Sequence, residues 1–195
     1  MRTDVLGIIE LSSIADGYLV LDAAIKAAPV SVLKAEILNP GKFLIFLTGD
    51  VAAVEFSMDA GLEAGNGNVL DHVLLKNLSD QIFPAMGNLK TAEKASIADE
   101  SGGNLDALGI IETHSAASAI EAADMTAKAA AVCVKSIVSG SETGGKGVTT
   151  ISGEIGDIEY AMDSVLEYLN AKNQLFRKAV IPGPPAEMKG FLSGN

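Results

Sequence analysis

The sequence predicts an α+β protein built from two copies of one small domain in tandem, each with the element order β-α-β-β-α-β. Three observations carry this. The chain contains a long direct repeat; each copy alternates short apolar runs with stretches of helical periodicity; and a polar, glycine-bearing segment separates the copies. Leu6-Gly7-Ile8-Ile9-Glu10 returns as Leu108-Gly109-Ile110-Ile111-Glu112, an offset of 102 that persists through Asp22/Asp124, Lys26/Lys128 and Val30/Val132. A two-residue insertion then changes the offset to 104, which matches Gly41-Lys42 to Gly145-Lys146 and Met58-Asp59 to Met162-Asp163. From Val5 to Ile37, 13 of 33 aligned pairs are identical, and from Gly41 to Glu63, 8 of 23 are, all collinear. Two long repeats mean a duplicated domain, not a solenoid.

Each element follows in order. Val5 to Glu10 is a short apolar run and reads as a strand. Ile14, Tyr18, Leu21, Ile25 and Ala28 recur at helical spacing and mark the expected inner face of a first helix. Ser12 or Ser13 is its expected cap and Pro29 its stop. Val30 to Leu38 reads as a strand in which Leu33, Ala35 and Ile37 alternate with Lys34 and Glu36. Asn39-Pro40-Gly41 is a turn, and Phe43 to Leu47 a buried strand. Asp50 caps a second helix with Val51, Val54, Met58 and Leu62 inward. Gly65-Asn66-Gly67-Asn68 ends it, and Val69 to Leu75 is the fourth strand. The second copy repeats the order, with Ile155, Ile158, Met162, Val165 and Leu169 on its second helix. This is the ferredoxin-like arrangement, which many unrelated functions share. The expected domains are 1–90 and 105–195, joined by a linker over 91–104.

Composition narrows the function. Hydrophobic residues make up 48 % of 195 residues and mean hydropathy is +0.31, but aromatics are only 5 %. Cores rich in Ala and Gly are shallow, so burial between subunits is expected to add stability. The net charge of −11, without a Lys/Arg cluster, argues against nucleic acid and anionic membranes as partners. The chain has one cysteine, Cys133, so no internal disulfide forms. No apolar run reaches membrane-spanning length and no signal peptide is expected, which makes a soluble cytoplasmic protein the default reading.

No residue cluster points to catalysis. His72 and His114 lack a second ligand at metal spacing. Cys133 has no His–acid partner and reads as a small, partly buried thiol. Glu10 and Glu112 pair only by repeat equivalence, and structural hydrogen bonding suits them better than acid–base work. The glycine-rich segment Ser139-Gly140-Ser141-Glu142-Thr143-Gly144-Gly145 leads through Lys146-Gly147 into a strand, not through Gly-Lys-Ser/Thr into a helix. It is therefore not a phosphate loop. Lys26 and Lys128 fall near the ends of equivalent helices, where an exposed ammonium also favours the helix terminus.

Taken together, Leu108-Gly109-Ile110-Ile111-Glu112-Thr113, Ala119-Ile120-Glu121-Ala122-Ala123-Asp124 and Lys128-Ala129-Ala130 resemble the signature of the bacterial microcompartment (BMC) shell domain. Leu6 to Glu10, Asp22 to Ala28, and the pairs Gly41-Lys42/Gly49-Asp50 and Gly145-Lys146/Gly153-Glu154 repeat that resemblance across both halves. The tandem form, with Leu11-Ser12-Ser13-Ile14-Ala15, Asn39 to Phe43 and Phe83-Pro84-Ala85, is similar to the trimeric, unpermuted members, those of propanediol-utilisation organelles among them.

The resemblance implies a structural, non-enzymatic protein that forms a homotrimeric pseudo-hexamer. Its implied partners are other shell proteins, enclosed enzymes and small-molecule metabolites, and its implied location is the shell of a cytoplasmic microcompartment. It implies a central pore lined by Asn39, Pro40 and Gly41, flanked by Ser141, Glu142, Thr143 and Gly144 of the second repeat. It also implies tile-edge contacts through Lys26 and Lys128, whose three-donor ammonium groups suit carbonyls of a facing tile. Some members hold an iron–sulfur cluster on the three-fold axis through a cysteine where this chain has Asn39. An amide is a poor ligand for such iron, so no cofactor or metal is expected. Two alternatives are an electron-transfer shell protein and a trimeric regulatory protein of ferredoxin-like fold.

Overall fold

The computed structural model describes residues 4–87, 106–140, 143–185 and 187–188. The expected linker, 91–104, lies outside them. The chain divides into two compact units, Met1–Leu78 with Gly140–Gly145, and Ser79–Ser139 with Lys146–Asn195.

In the first unit, β1 (Val5–Leu11), β2 (Ser31–Leu38), β3 (Lys42–Thr48) and β4 (Val69–Lys76) form an antiparallel sheet in the order β2-β3-β1-β4. Helices α1 (Ile14–Ala27) and α2 (Val51–Ala64) belong to the same unit. β1 is buried at every position because it is a central strand carrying apolar side chains on both faces. Ile9, Phe43, Ile45, Leu47, Val54 and Met58 form the core.

The second unit begins with the short helix α3 (Ile82–Ala85). It continues with β5 (Ala107–Thr113), α4 (Ala116–Ala129), β6 (Cys133–Ser139), β7 (Gly147–Gly153), α5 (Ile155–Ala171) and β8 (Leu175–Pro182), with sheet order β6-β7-β5-β8. Strand registers reproduce the sequence offsets. Gly7 faces Leu47 in the first sheet, and Gly109 faces Ile151 in the second. Register shifts recur at Glu10/Leu11 and Glu112/Thr113.

Local signals behave as their chemistry requires. Ser13 and Ser115 cap α1 and α4, each accepting a backbone N–H three residues on. Asp50 stands at the α2 N-cap but makes no side-chain capping bond. The expected inner faces of three helices and of β2 need correction. On α1 the buried residues are Gly17, Val20 and Ala24, while Tyr18 and Ile25 are exposed. The cause is Gly17: a Cβ there would lie 2.4 Å from the Phe43 ring, so the smallest side chain, not the apolar stripe, meets the sheet. Val51 of α2 and Ile155 of α5 are likewise exposed first-turn residues. In β2, Ile37 is exposed because this is an edge strand, interrupted by a register shift between Val32 and Lys34.

Gly17→Ala is expected to destabilise the chain. Alanine gains up to about 1 kcal/mol in helix propensity, but the clash involves the base of a fully buried ring. Overpacking of this kind costs roughly 1–3 kcal/mol. A denaturant midpoint equal to or above wild type would show that the ring can move aside.

Candidate pore loops and their supporting ion pairs

The first unit contains two loops that are equivalent in the repeat. One is Asn39-Pro40-Gly41, between β2 and β3, with a cis Asn39–Pro40 bond and Gly41 at φ 73°. The other is Gly140–Gly145, between β6 and β7. The Gly140 carbonyl organises the second loop by accepting from the backbone N–H groups of Thr143 and Gly145, at 3.3 and 3.1 Å, and from the Thr143 hydroxyl. Gly145 sits at φ 82°. A Cβ on it would lie 3.1 Å from Pro40 Cδ, 3.2 Å from the Asn39 carbonyl and 3.3 Å from Lys42 Cε. Glycine is thus required there both by the left-handed backbone and by the close approach of the first loop.

An ion pair anchors this junction. Lys42, the first residue of β3, donates to Glu10 Oε1 at 2.7 Å and to the Gly145 carbonyl at 2.6 Å. The Glu10 side chain is fully buried and that of Lys42 is 17 % exposed. Their repeat equivalents, Glu112 and Lys146, are 3.5 Å apart, with side chains 32 % and 35 % exposed. Lys146 also lies 3.9 Å from the centre of the Phe176 ring. Glu10 and Glu112 therefore pair with equivalent lysines, Glu10 by a hydrogen bond and Glu112 by a longer ion pair.

Of the expected site residues, Asn39, Pro40 and Gly41 are exposed and lie beside Gly145. Thr143 and Gly144 are in the same unit, Gly144 exposed at φ 64°. Ser141 and Glu142 lie outside the described residues. Sequence reasoning missed Lys42, whose signal was the paired Gly-Lys at matching repeat positions.

Lys26 and Lys128 differ. Lys26 pairs with Asp22 at 2.6 Å on an open surface, with side-chain exposures of 74 % and 59 %. Lys128 pairs with Asp124, whose side chain is 3 % exposed and also accepts the Ser79 backbone N–H at 2.8 Å. The same segment brings Gln81, which donates to the Val132 carbonyl and accepts from the Val134 N–H. It thereby satisfies backbone groups at the edge strand β6, a role for which Ser79–Ala85 carries no local signal.

The donor set does not fit an iron–sulfur centre. The loop offers the Asn39 amide where a thiolate is needed, and Cys133 lies at the start of β6. Among the described residues, no three His, Cys, Asp or Glu side chains gather as a metal site.

Two four-stranded antiparallel sheets with matched helices, registers and loops define a tandem pair of BMC domains, and the BMC domain family matches residues 5–78 and 107–184. The chain belongs to this family of bacterial microcompartment shell proteins, and it is a structural component of the microcompartment shell.

The chain is 33 % identical to the shell protein PduT of Citrobacter freundii over 94 % of each chain. It is 29 % identical to the carboxysome shell protein CcmK3 of a Halothece species over 42 % of this chain and 83 % of that one. A crystal structure of a microcompartment protein from Desulfitobacterium hafniense DCB matches with a TM-score of 0.75 at 34 % identity, covering 97 % of this chain and 99 % of that one. A fused, permuted hexameric shell protein of the RMM microcompartment shares the fold, with a TM-score of 0.59 at 24 % identity over 87 % and 85 % of the two chains. No helix among the described residues is long and apolar enough to cross a membrane.

Lys42→Ala is expected to destabilise the chain by roughly 3–5 kcal/mol, since it strands a buried carboxylate. Lys146→Ala removes a half-exposed, looser pair and is expected to cost under about 1 kcal/mol. Urea unfolding of both variants checks the contrast, and equal losses would contradict it.

Proposed function

We propose that three copies of the chain close into a flat, six-sided tile around a central pore, and that this tile lies beside other shell proteins in the facet. The observation that carries this reading is the packing of the Asn39–Gly41 loop against its own repeat equivalent, Gly140–Gly145. A closed ring of repeats needs each domain to bring the same loop to one axis, and three chains would supply six such loops.

Asn39, Pro40, Gly41, Thr143 and Gly144, with Ser141 and Glu142, would line or rim the passage. They would present amide, hydroxyl and carboxylate groups to small polar metabolites. The domains of this tile are 1–90 and 105–195, joined by 91–104, and the family matches fall inside them. Similarity to PduT supports a propanediol-utilisation shell. Enclosed enzymes are expected partners on one face, whereas the acidic charge disfavours nucleic acid. The tile is not itself an enzyme.

Light scattering should give a mass of about 60 kDa, three times the 20.0 kDa chain, as closed cyclic symmetry requires. Negative-stain images of the same sample should show six-sided particles or sheets. A monomer or dimer across salt and concentration would remove the pore.

Lys26 and Lys128 are the proposed tile-edge contacts. The exposed Lys26–Asp22 pair makes Lys26→Ala the cleaner probe, because Lys128 also holds a buried aspartate. Lys26→Ala should reduce sheets in electron micrographs and leave the particle mass unchanged. Undiminished sheets would remove the edge role.

A further inference from the structure

We propose that Glu187 and Met188 of one copy of this chain seat on the exposed edge of β2 in a second copy, the place that Gln81 and Ile82 take on β6. The inference rests on the trimer reading above and names a contact that would close the ring.

The second unit holds the filled case. Helix α3 packs against β6 and α4. Gln81 donates to the Val132 carbonyl at 3.1 Å and accepts the Val134 N–H at 2.8 Å. Ile82 and Val134 are both fully buried. An edge strand presents N–H and C=O groups that invite further pairing, and here a short segment of chain closes that edge.

The same backbone recurs after β8. Lys76 faces Val5 at the end of β4, and Pro182 faces Ala107 at the end of β8, which sets an offset of 106. That offset matches Asn77 to Gly183, both left-handed at φ 53° and 56°, and Leu78 to Pro184, both buried. It also matches the turn in which the Ile82 N–H donates to the Ser79 carbonyl, at 3.1 Å, to one in which the Met188 N–H donates to the Pro185 carbonyl, at 3.0 Å. Glu187 and Met188 therefore stand where Gln81 and Ile82 do. Yet Glu187 is exposed and Met188 only partly buried.

The strand that would receive them is built like β6. The Val30 N–H donates to the Ala28 carbonyl as the Val132 N–H does to that of Ala130, both at 2.9 Å. Both strands shift register at the same place, Val32/Lys34 and Val134/Ser136. The Val32 N–H thus faces outward, as its counterpart does. But Val32 is 38 % exposed where Val134 is fully buried. Among the described residues, each copy therefore offers an exposed edge and an exposed turn of matching chemistry. Met188 supplies apolar cover and the Glu187 carboxylate an acceptor for the Val32 N–H. Pro185 stands in place of Ser79, so the Ser79–Asp124 bond has no counterpart, and Asp22 keeps its pairing with Lys26. A turn given to one neighbour and an edge offered to another make a heterologous contact, the kind that builds a ring.

Met188→Asp tests this by setting a charge against an apolar strand edge. The concentration at which the trimer half-dissociates should rise roughly tenfold or more, with the circular dichroism spectrum kept, because Met188 is already partly exposed in the single chain. Unchanged dissociation would overturn the contact.

A second measurement reads proximity directly. In a Cys133→Ser background, Glu187→Cys and Val32→Cys are carried on separate co-expressed chains and treated with a short bismaleimide. A covalent pair holding one chain of each kind is expected, and neither chain alone should give it. A mixed trimer without that pair would overturn this contact and leave the trimer reading standing. A wild-type chain that stays single would overturn both.

Discussion

The fold depends on a missing side chain at the centre of each sheet. Gly7 in β1 and Gly109 in β5 occupy the same repeat position. A Cβ on either would fall 2.7 or 2.8 Å from the sulfur of Met58 or Met162, on the helix packed above. Because the strand has no side chain there, the helix lies directly on the sheet. A thioether, adaptable in shape, fills the remaining space. With that approach fixed, the inward residues follow: Val54 and Met58 on α2, and Ile158, Met162 and Val165 on α5. The match of Gly7 to Gly109 and Met58 to Met162 preserves one contact in two domains that have diverged elsewhere.

Close packing of this kind leaves large apolar groups without a place inside. Tyr18, Leu19 and Ile25 of α1 are exposed because Gly17, Val20 and Ala24 take the buried face. Phe56 and Tyr160, equivalent on α2 and α5, are exposed too. In an isolated globule such groups would be a liability. In a shell protein, burial of such groups by a neighbour would add to a shallow core.

This is also where sequence reasoning stopped. Strand and helix positions were legible because period and repeat agreed: β1, α1, β3, α2 and β4 fall within a residue or two of their expected ranges. The buried face of α1 was not, because a hydrophobic stripe ranks Tyr18 and Ile25 above Gly17, and only the sheet below decides between them. Helix α3 and the bridging role of Gln81 were missed for a related reason. Gln81 satisfies the backbone of β6 some fifty residues away, and nothing local in Ser79–Ala85 announces that. The proposed pore role of Asn39, Pro40 and Gly41 comes from family resemblance alone, since by themselves they read as a turn. Lys42 could have been found from the repeat, yet its meaning appears only with its two partners in view.

The Glu10–Lys42 pair is a poor device for stability alone. A buried ion pair loses hydration on both partners, and a well-packed apolar pair of similar size often does as well or better. What the pair supplies is position. Lys42 holds the carboxylate with one N–H and the Gly145 carbonyl with another, which fixes the second loop against the first at a defined distance from the central strand. An apolar pair would fill the same volume and leave that loop free to slide. The cost of burial is accepted only where the loop completes the enclosure. At Glu112 and Lys146 the equivalent pair is 3.5 Å apart and about one-third exposed, so the two groups keep more of their hydration and a looser separation. Identical residues at equivalent places thus differ in energy because one pair is buried and close and the other is partly exposed and looser.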